Sequence, residues 1–210
     1  MRIVLASGNA GKLAELRALL ADAPFEVVAQ RDLGVDDVPE TGLTFVENAL
    51  IKARHAAACT GLPALADDSG LVVDALGGAP GLYSARYAGT PTDDAANNAR
   101  LLAALAGVPS QDRGARFHAV VVLLRDPADP QPLVAEGSWE GTITIAPRGT
   151  NGFGYNPVFL DQELGLTAAE MSPAHKAGRS HRSRALAQLR AGLPAWLARA
   201  HASAPRPCPP

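Results

Sequence analysis

The chain has 210 residues, 47% of them hydrophobic and 19% charged, with a formal net charge of -2 at pH 7. This is ordinary globular composition, long enough for one sizeable core and too short for two comfortable domains, and it excludes a disordered chain. The slight acidity argues against a protein that coats nucleic acid; only Cys59 and Cys208 occur, and no paired Cys/His runs, which argues against a disulfide framework or a structural zinc site.

The opening "MRIVLASGNAGK" turns polar after a short apolar run, so neither a signal peptide nor a membrane span is expected there, and a cytoplasmic location is. Arg2 to Ala6 reads as a short buried strand, "SGNAGK" as a turn, and "LAELRALLAD" as a helix with Leu13, Leu16 and Leu20 on one stripe. With "FEVVAQ" as a second strand, the chain opens in α/β fashion. Thr44 and Glu47 form a T-x-x-E capping box for a helix whose apolar stripe is Val46, Leu50, Ala53 and Ala57.

"ALADD" and "LVVDA" read as two strands joined by a turn at Asp-Ser-Gly, and "TDDAANNARLLAALAG" as a helix ended by Gly107. "ARFHAVVVLLRD" and "PLVAEGSWEGTITI" are expected to pair antiparallel across the turn residues of "RDPADPQP". After the Gly/aromatic segment "RGTNGFGYNPVFL", the last third is helical, entered by Ser172–Pro173, and Gly192 and Pro194 are expected to break or kink the final helix. The class expected is α/β with a mixed sheet: one domain over residues 1–200 and a Pro-rich tail over 201–210.

Several stretches could carry chemistry. "SGNAGK" leaves a strand and opens a helix, so its free backbone N–H groups and Lys12 suit a phosphate; the alternative is a tight turn capped by Asn9. It is neither a Walker A loop nor the dinucleotide G-x-G-x-x-G. Asp67 and Asp68 stand together with no basic neighbour in sequence. An Asx-turn accounts for one carboxylate, and the other suggests a hard cation such as Mg²⁺. Glu47 is explained by the capping box, and Lys52 reads equally as a solvated lysine. Phe153 and Tyr155 share a face if their segment is extended, where they could stack on a base or simply fill core. "HKAGRSHRSR" has the density of a solvated charged face, and His118 reads as a packed core histidine.

The segments "SGNAGK", "ETGLTFVENALIKA", "ADDSGLVVDALGGAPGLYSARYAG", "NGFGYNPVF" and "SHRSRAL" resemble the inosine triphosphate pyrophosphatase family, in its bacterial dITP/XTP branch, over nearly the whole chain. The resemblance implies a long mixed sheet with helices forming two lobes around a central cleft, usually in a homodimer. It also implies Mg²⁺-dependent cleavage of non-standard purine triphosphates to monophosphate and pyrophosphate. By the same resemblance, Ser7, Gly8, Asn9, Ala10, Gly11 and Lys12 hold the triphosphate with help from Lys52, and Ser69 touches substrate. Glu40 and Asp68 take the metal, with Asp68 also the proton acceptor and Asp67 on the other side of the backbone or behind the metal. Phe153, Gly154, Tyr155, Asn156, Lys176, His181 and Arg182 form the base pocket, the last two as donors to the oxygen at purine position six. The family usually has Asp where this chain has Asn156, a change expected to favour xanthine; Ser183, where glycine is common, and Pro194 are lesser departures. A non-catalytic nucleotide sensor, a nucleic-acid module built on "HKAGRSHRSR" and a phosphohydrolase releasing a single phosphate are the rival readings.

Overall fold

The computed structural model describes residues 1–200; the Pro-rich tail expected at 201–210, with Cys208, lies outside the described residues. A seven-stranded mixed sheet runs in the order β2-β1-β3-β4-β5-β6-β7. The strands are β1 (Arg2–Ala6), β2 (Glu26–Ala29), β3 (Ala64–Val73), β4 (Gly114–Leu124), β5 (Leu133–Ile143), β6 (Phe159–Asp161) and β7 (Leu166–Thr167). β1 is parallel to β2 and β3, and every later pairing is antiparallel.

Ile3, Val4 and Leu5 are fully buried on both sheet faces because helices cover both. On one face, α1 (Ala10–Leu19) and α5 (His181–Ala200) bring Leu16, Leu186, Leu189 and Trp196 against Ile3, Leu65 and Val121. On the other, α2 (Phe45–Thr60) presents Ala49, Ala53, Ala56 and Ala57 to Val4, Ala66 and Val120. The expected stripe of α2 is therefore corrected: Val46 and Leu50 sit at its margin, and alanines let the helix backbone lie close to the sheet. A third cluster under α3 (Asp94–Ala104) joins Leu101 to Phe117, Trp139 and Phe159. A five-residue helix, α4 (Pro173–Ala177), begins at the Ser172 cap as expected. The capping box of α2 is also present: Glu47 Oε2 accepts from Leu43 N–H (2.8 Å) and from the Thr44 hydroxyl (2.9 Å).

Three further expectations are corrected. No turn divides Asp67 from Gly70: β3 is one strand, laddered to β4 along its whole length, and that pairing carries the Asp-Ser-Gly stretch straight through. Nor does Pro194 break α5, which runs on to Ala200. Leu193 and Trp196 stay buried on either side of Pro194, offsetting the roughly 3 kcal/mol a helical proline costs. His118 is not core; it lies opposite Gly70 in the ladder, which has no side chain to cover it, and is half-buried against Phe45 with Ser138 Oγ at 2.9 Å.

One mismatch of strand length shapes the functional region. β1 meets β3 only from Ala64 to Ala66, so from Asp67 onward that edge of β3 is free of β1. The chain covers it further on with a 3-10 segment, Gly81–Arg86, which packs so close that a Cβ on Gly70 would stand 2.3 Å from Gly81 O. The cleft lies between this segment and the glycine loop that follows β1.

Candidate active site

Period-two alternation sends Asp67 and Asp68 to opposite faces of β3. Asp67 shares a face with Leu65 and α1, and Asp68 shares one with Ala66 and α2. Asp67 is fully buried yet ionised. Burial alone would raise its pKa, but Arg182, Lys12 and Lys52 outweigh it and hold the carboxyl far below the usual carboxylate range. Its Oδ2 lies 3.1 Å from Lys12 Nζ and accepts from Ser69 Oγ at 3.1 Å, while Oδ1 lies 3.3 Å from Arg182 Nε. That last pair is close enough to attract but too poorly aligned for a hydrogen bond.

Asp68 opens on a chamber of about 370 Å³ lined by Ser7, Gly8, Asn9, Lys12, Glu40 and Lys52. Lys52 Nζ sits among three oxygens: Asp68 Oδ1 (2.7 Å), Asp67 O (2.7 Å) and Glu40 Oε1 (3.0 Å). Burial pushes Asp68 up and outweighs the pull of Lys52 and Lys12, leaving its pKa raised. Lys52 is raised by Asp68 and Glu40 despite the cost of burial. Lys12 goes the other way, lowered because burial exceeds the attraction of Asp67. In the glycine loop, Asn9 is the helix cap, accepting from Lys12 N–H at 2.9 Å. The capping reading of that loop holds, and the capped turn also lines the chamber. Ala10 and Gly11 form the first residues of α1 beside it, and Phe153 packs on Gly11, where a Cβ would come within 2.9 Å of its ring.

A narrower slot adjoins the chamber, sharing Asn9, Lys12, Ser69 and Ala85 with it. Its further walls include Phe153, Gly154, Tyr155, Asn156, Lys176, His181 and Arg182, so the structure brings together every base-pocket residue named from sequence. The manner differs from expectation. The segment 151–157 is a turn, with Gly152 at φ 80° and Gly154 at φ 61°, so Phe153 and Tyr155 do not share a strand face. Tyr155 is buried and donates to Ser84 O (2.8 Å), whereas Phe153 stands at the slot under Lys176 Nζ (5.3 Å) and the Arg182 guanidinium (5.7 Å).

The dense basic run is a solvated face only in part: His175 and Arg184 are exposed, but its centre turns inward. Arg182 and His181 are buried, Arg182 donates to Glu15 Oε2 (2.6 Å) and Ser69 Oγ (2.7 Å), and Lys176 pairs with Glu15 Oε1 (3.0 Å). Glu15 went unremarked in the sequence because it reads as one more polar position on α1; Arg182 and Lys176 keep it ionised against the cost of burial. His181 stacks on Phe117 at 5.0 Å, and burial, reinforced by Arg182, pushes its pKa well below the usual value. The ring is therefore neutral, with one nitrogen a donor and the other an acceptor, and its buried Nδ1 has no protein partner. The donor role expected of His181 would require the tautomer that carries its hydrogen on the nitrogen facing the ligand. Asn156 is buried, and with its amide oriented to suit its neighbours the oxygen accepts from Lys176 Nζ and Phe153 N–H, each at 3.3 Å.

The class so defined is an α/β protein whose mixed sheet carries, along the edge of β3 that β1 leaves free, a cation-lined chamber and an aromatic slot that share a wall. The chain belongs to the Ham1 family, whose model matches residues 3–192. It is 75% identical over 187 residues to a dITP/XTP pyrophosphatase of Xanthomonas campestris pv. campestris (strain 8004), covering 89% of this chain and 94% of that one. It is 66% identical over 197 residues to a dITP/XTP pyrophosphatase of Xylella fastidiosa (strain 9a5c), covering 94% and 99%. Among solved structures, a HAM1 protein from Coxiella burnetii superposes with a TM-score of 0.86 at 51% identity, over 93% of this chain and 99% of that one.

Proposed function

We propose that the protein hydrolyses non-standard purine nucleoside triphosphates (XTP, ITP and dITP) to the monophosphate and pyrophosphate, clearing them before they enter DNA or RNA. The observation that carries this reading is the sorting of Asp67 and Asp68: one acid organises the wall shared with the slot, the other faces the chamber. The names of the relatives support it.

Glu40 and Asp68 fit a Mg²⁺ ion. Both are hard oxygen donors, and both reach the single point where Lys52 Nζ lies, at 3.0 and 2.7 Å. Among the described residues no third His, Cys, Asp or Glu joins them, so water and phosphate oxygens would complete the shell, the usual habit of Mg²⁺. When bound, the ion would supply charge neutralisation on the phosphates and a more acidic water.

The chain's own groups do the rest. Asp68 orients the attacking water and accepts its proton, most of the activation of that water being what the ion would supply when bound. The water oxygen bonds to the α-phosphorus as the bond to the bridging oxygen breaks, the electron pair leaving with pyrophosphate. Lys12 and Lys52 offset the charge that collects there. In the slot, Arg182, Lys176 and one tautomer of His181 favour an oxygen at purine position six. Adenine's amino group would face donors instead, and each buried donor left unpaired costs about 1–3 kcal/mol.

We place the enzyme in the cytoplasm as a homodimer without stable nucleic-acid partners; sedimentation at twice the chain mass checks the dimer. The function itself is tested by incubating a panel of nucleoside triphosphates with the protein in Mg²⁺ and in excess chelator. Pyrophosphate and monophosphate from XTP, ITP and dITP, with little from ATP and none under chelation, is the expected result. Release of orthophosphate and diphosphate, or equal turnover of ATP, would sink it.

A further inference from the structure

The chamber holds a third cation that neither motif nor resemblance singled out. Arg86 closes the 3-10 segment Gly81–Arg86, on the wall facing the glycine loop. Its main chain is braced on both sides by one buried side chain of α3. Asn97 Nδ2 donates to Ala85 O (3.1 Å), and Asn97 Oδ1 accepts from Ala88 N–H (2.6 Å). The guanidinium lies over the Tyr83 ring at 5.2 Å, which gives that largely exposed aromatic a purpose.

The three cations are not equally free. Lys12 is held by Asp67 at 3.1 Å, and Lys52 has three oxygens within 3.0 Å. Among the described residues, Arg86 has, besides the Tyr83 ring, a single long contact to Glu40 Oε2, 3.5 Å, and its side chain is 37% exposed. Position along the chamber matters too. The nucleoside end of a ligand must lie at the residues shared with the slot: Asn9, Lys12, Ser69 and Ala85. Arg86 lines the chamber but not the slot, in the company of Gln30, Asp37 and Pro39. A planar guanidinium takes two phosphate oxygens in a fixed parallel fork, a geometry that an ammonium, a point charge with rotatable donors, does not impose.

We propose that Arg86 grips the β- and γ-phosphates of the substrate, and then the departing pyrophosphate, exchanging its contact with Glu40 for phosphate oxygens as the triphosphate enters. The inference rests on the hydrolase reading above and adds the residue that holds the leaving group.

The test measures inhibition by magnesium pyrophosphate and by inosine monophosphate in the full-length protein, for the wild type, Arg86→Gln and Arg86→Lys, with ITP as substrate. Arg86→Gln is expected to raise the inhibition constant of pyrophosphate and the KM for ITP by at least about tenfold. The monophosphate constant and the thermal midpoint should stay unchanged. Arg86→Lys should recover part of the loss, having charge without the fork. An unchanged pyrophosphate constant overturns the proposal. So does equal weakening of pyrophosphate and monophosphate, which marks a general shift of the 3-10 segment. If no triphosphate is turned over, the hydrolase reading fails by itself, and calorimetry of magnesium pyrophosphate with the same proteins still decides Arg86: no binding to the wild type, or equal binding to Arg86→Gln, overturns it.

Discussion

Asp67 and Asp68 are adjacent in sequence and opposite in consequence. Replacing Asp67 by Asn would leave the buried Arg182 and the partly buried Lys12 without their shared counter-charge. A loss of about 3–5 kcal/mol in urea denaturation is expected. Asp68→Asn should instead keep stability near wild type, because Lys52 retains Glu40 and Asp67 O, while turnover of ITP falls by about 10²–10⁴. The sequence made this pair stand out, since alternation forbids two neighbours from facing one layer; it could not show that Lys12 and Arg182, 55 and 115 positions away, converge on the buried member. Asn156 is a second residue with a separable effect. Its amide oxygen lies 3.3 Å from Lys176 Nζ, so Asn156→Asp would bring a full negative charge to that lysine and to the slot. The ratio of XTP to ITP turnover is expected to drop, and an unchanged ratio would remove Asn156 from base choice.

At the scale of elements, α5 depends on how closely it can lie on β5. A Cβ on Gly137 would stand 2.2 Å from His181 O and 2.5 Å from Ala185 N, both backbone atoms that cannot yield alone. Gly137→Ala should cost about 1–3 kcal/mol by thermal denaturation and raise KM for ITP, because the displaced turn carries His181 and Arg182. The other pin is Asp161 at the end of β6. It is buried and accepts from Trp139 Nε1 (2.9 Å), Arg179 Nε (2.8 Å) and Glu163 N–H (3.0 Å). Burial would raise its pKa, but Arg179, Trp139 and backbone donors outweigh that and lower it. A lowered carboxyl stabilises fully above its unfolded pKa and loses that contribution as pH falls through the folded value. Asp161→Asn is therefore expected to cost about 1.5–3 kcal/mol at neutral pH. The gap from wild type, read from urea midpoints, should narrow below about pH 4. Most elements could be read directly: the β4–β5 pair and the α/β opening follow from local periodicity, and the start of α2 from its capping box. Segment 151–157 could not be, because aromatics at alternate positions suit a strand as well as a turn whose glycines take positive φ. Nor could the continuity of β3, which depends on its ladder to β4 far along the chain.

For the molecule as a whole, the shared wall between chamber and slot matters more than either cavity. Asp67 answers both Lys12, which lines each of them, and Arg182, which belongs to the slot. A polyanion that draws Lys12 toward itself leaves Arg182 as the stronger claimant on Asp67, and so tightens the seat under the base. The two halves of a nucleotide should then bind with positive cooperativity. Inosine should associate more tightly when pyrophosphate is already present, by a coupling on the order of 1 kcal/mol, and pyrophosphate more tightly with inosine by the same factor, since linkage is reciprocal. Calorimetric titrations in both orders measure it. An enzyme wired in this way would discriminate poorly against free bases and free polyphosphates taken singly, and sharply only when one molecule offers both ends together.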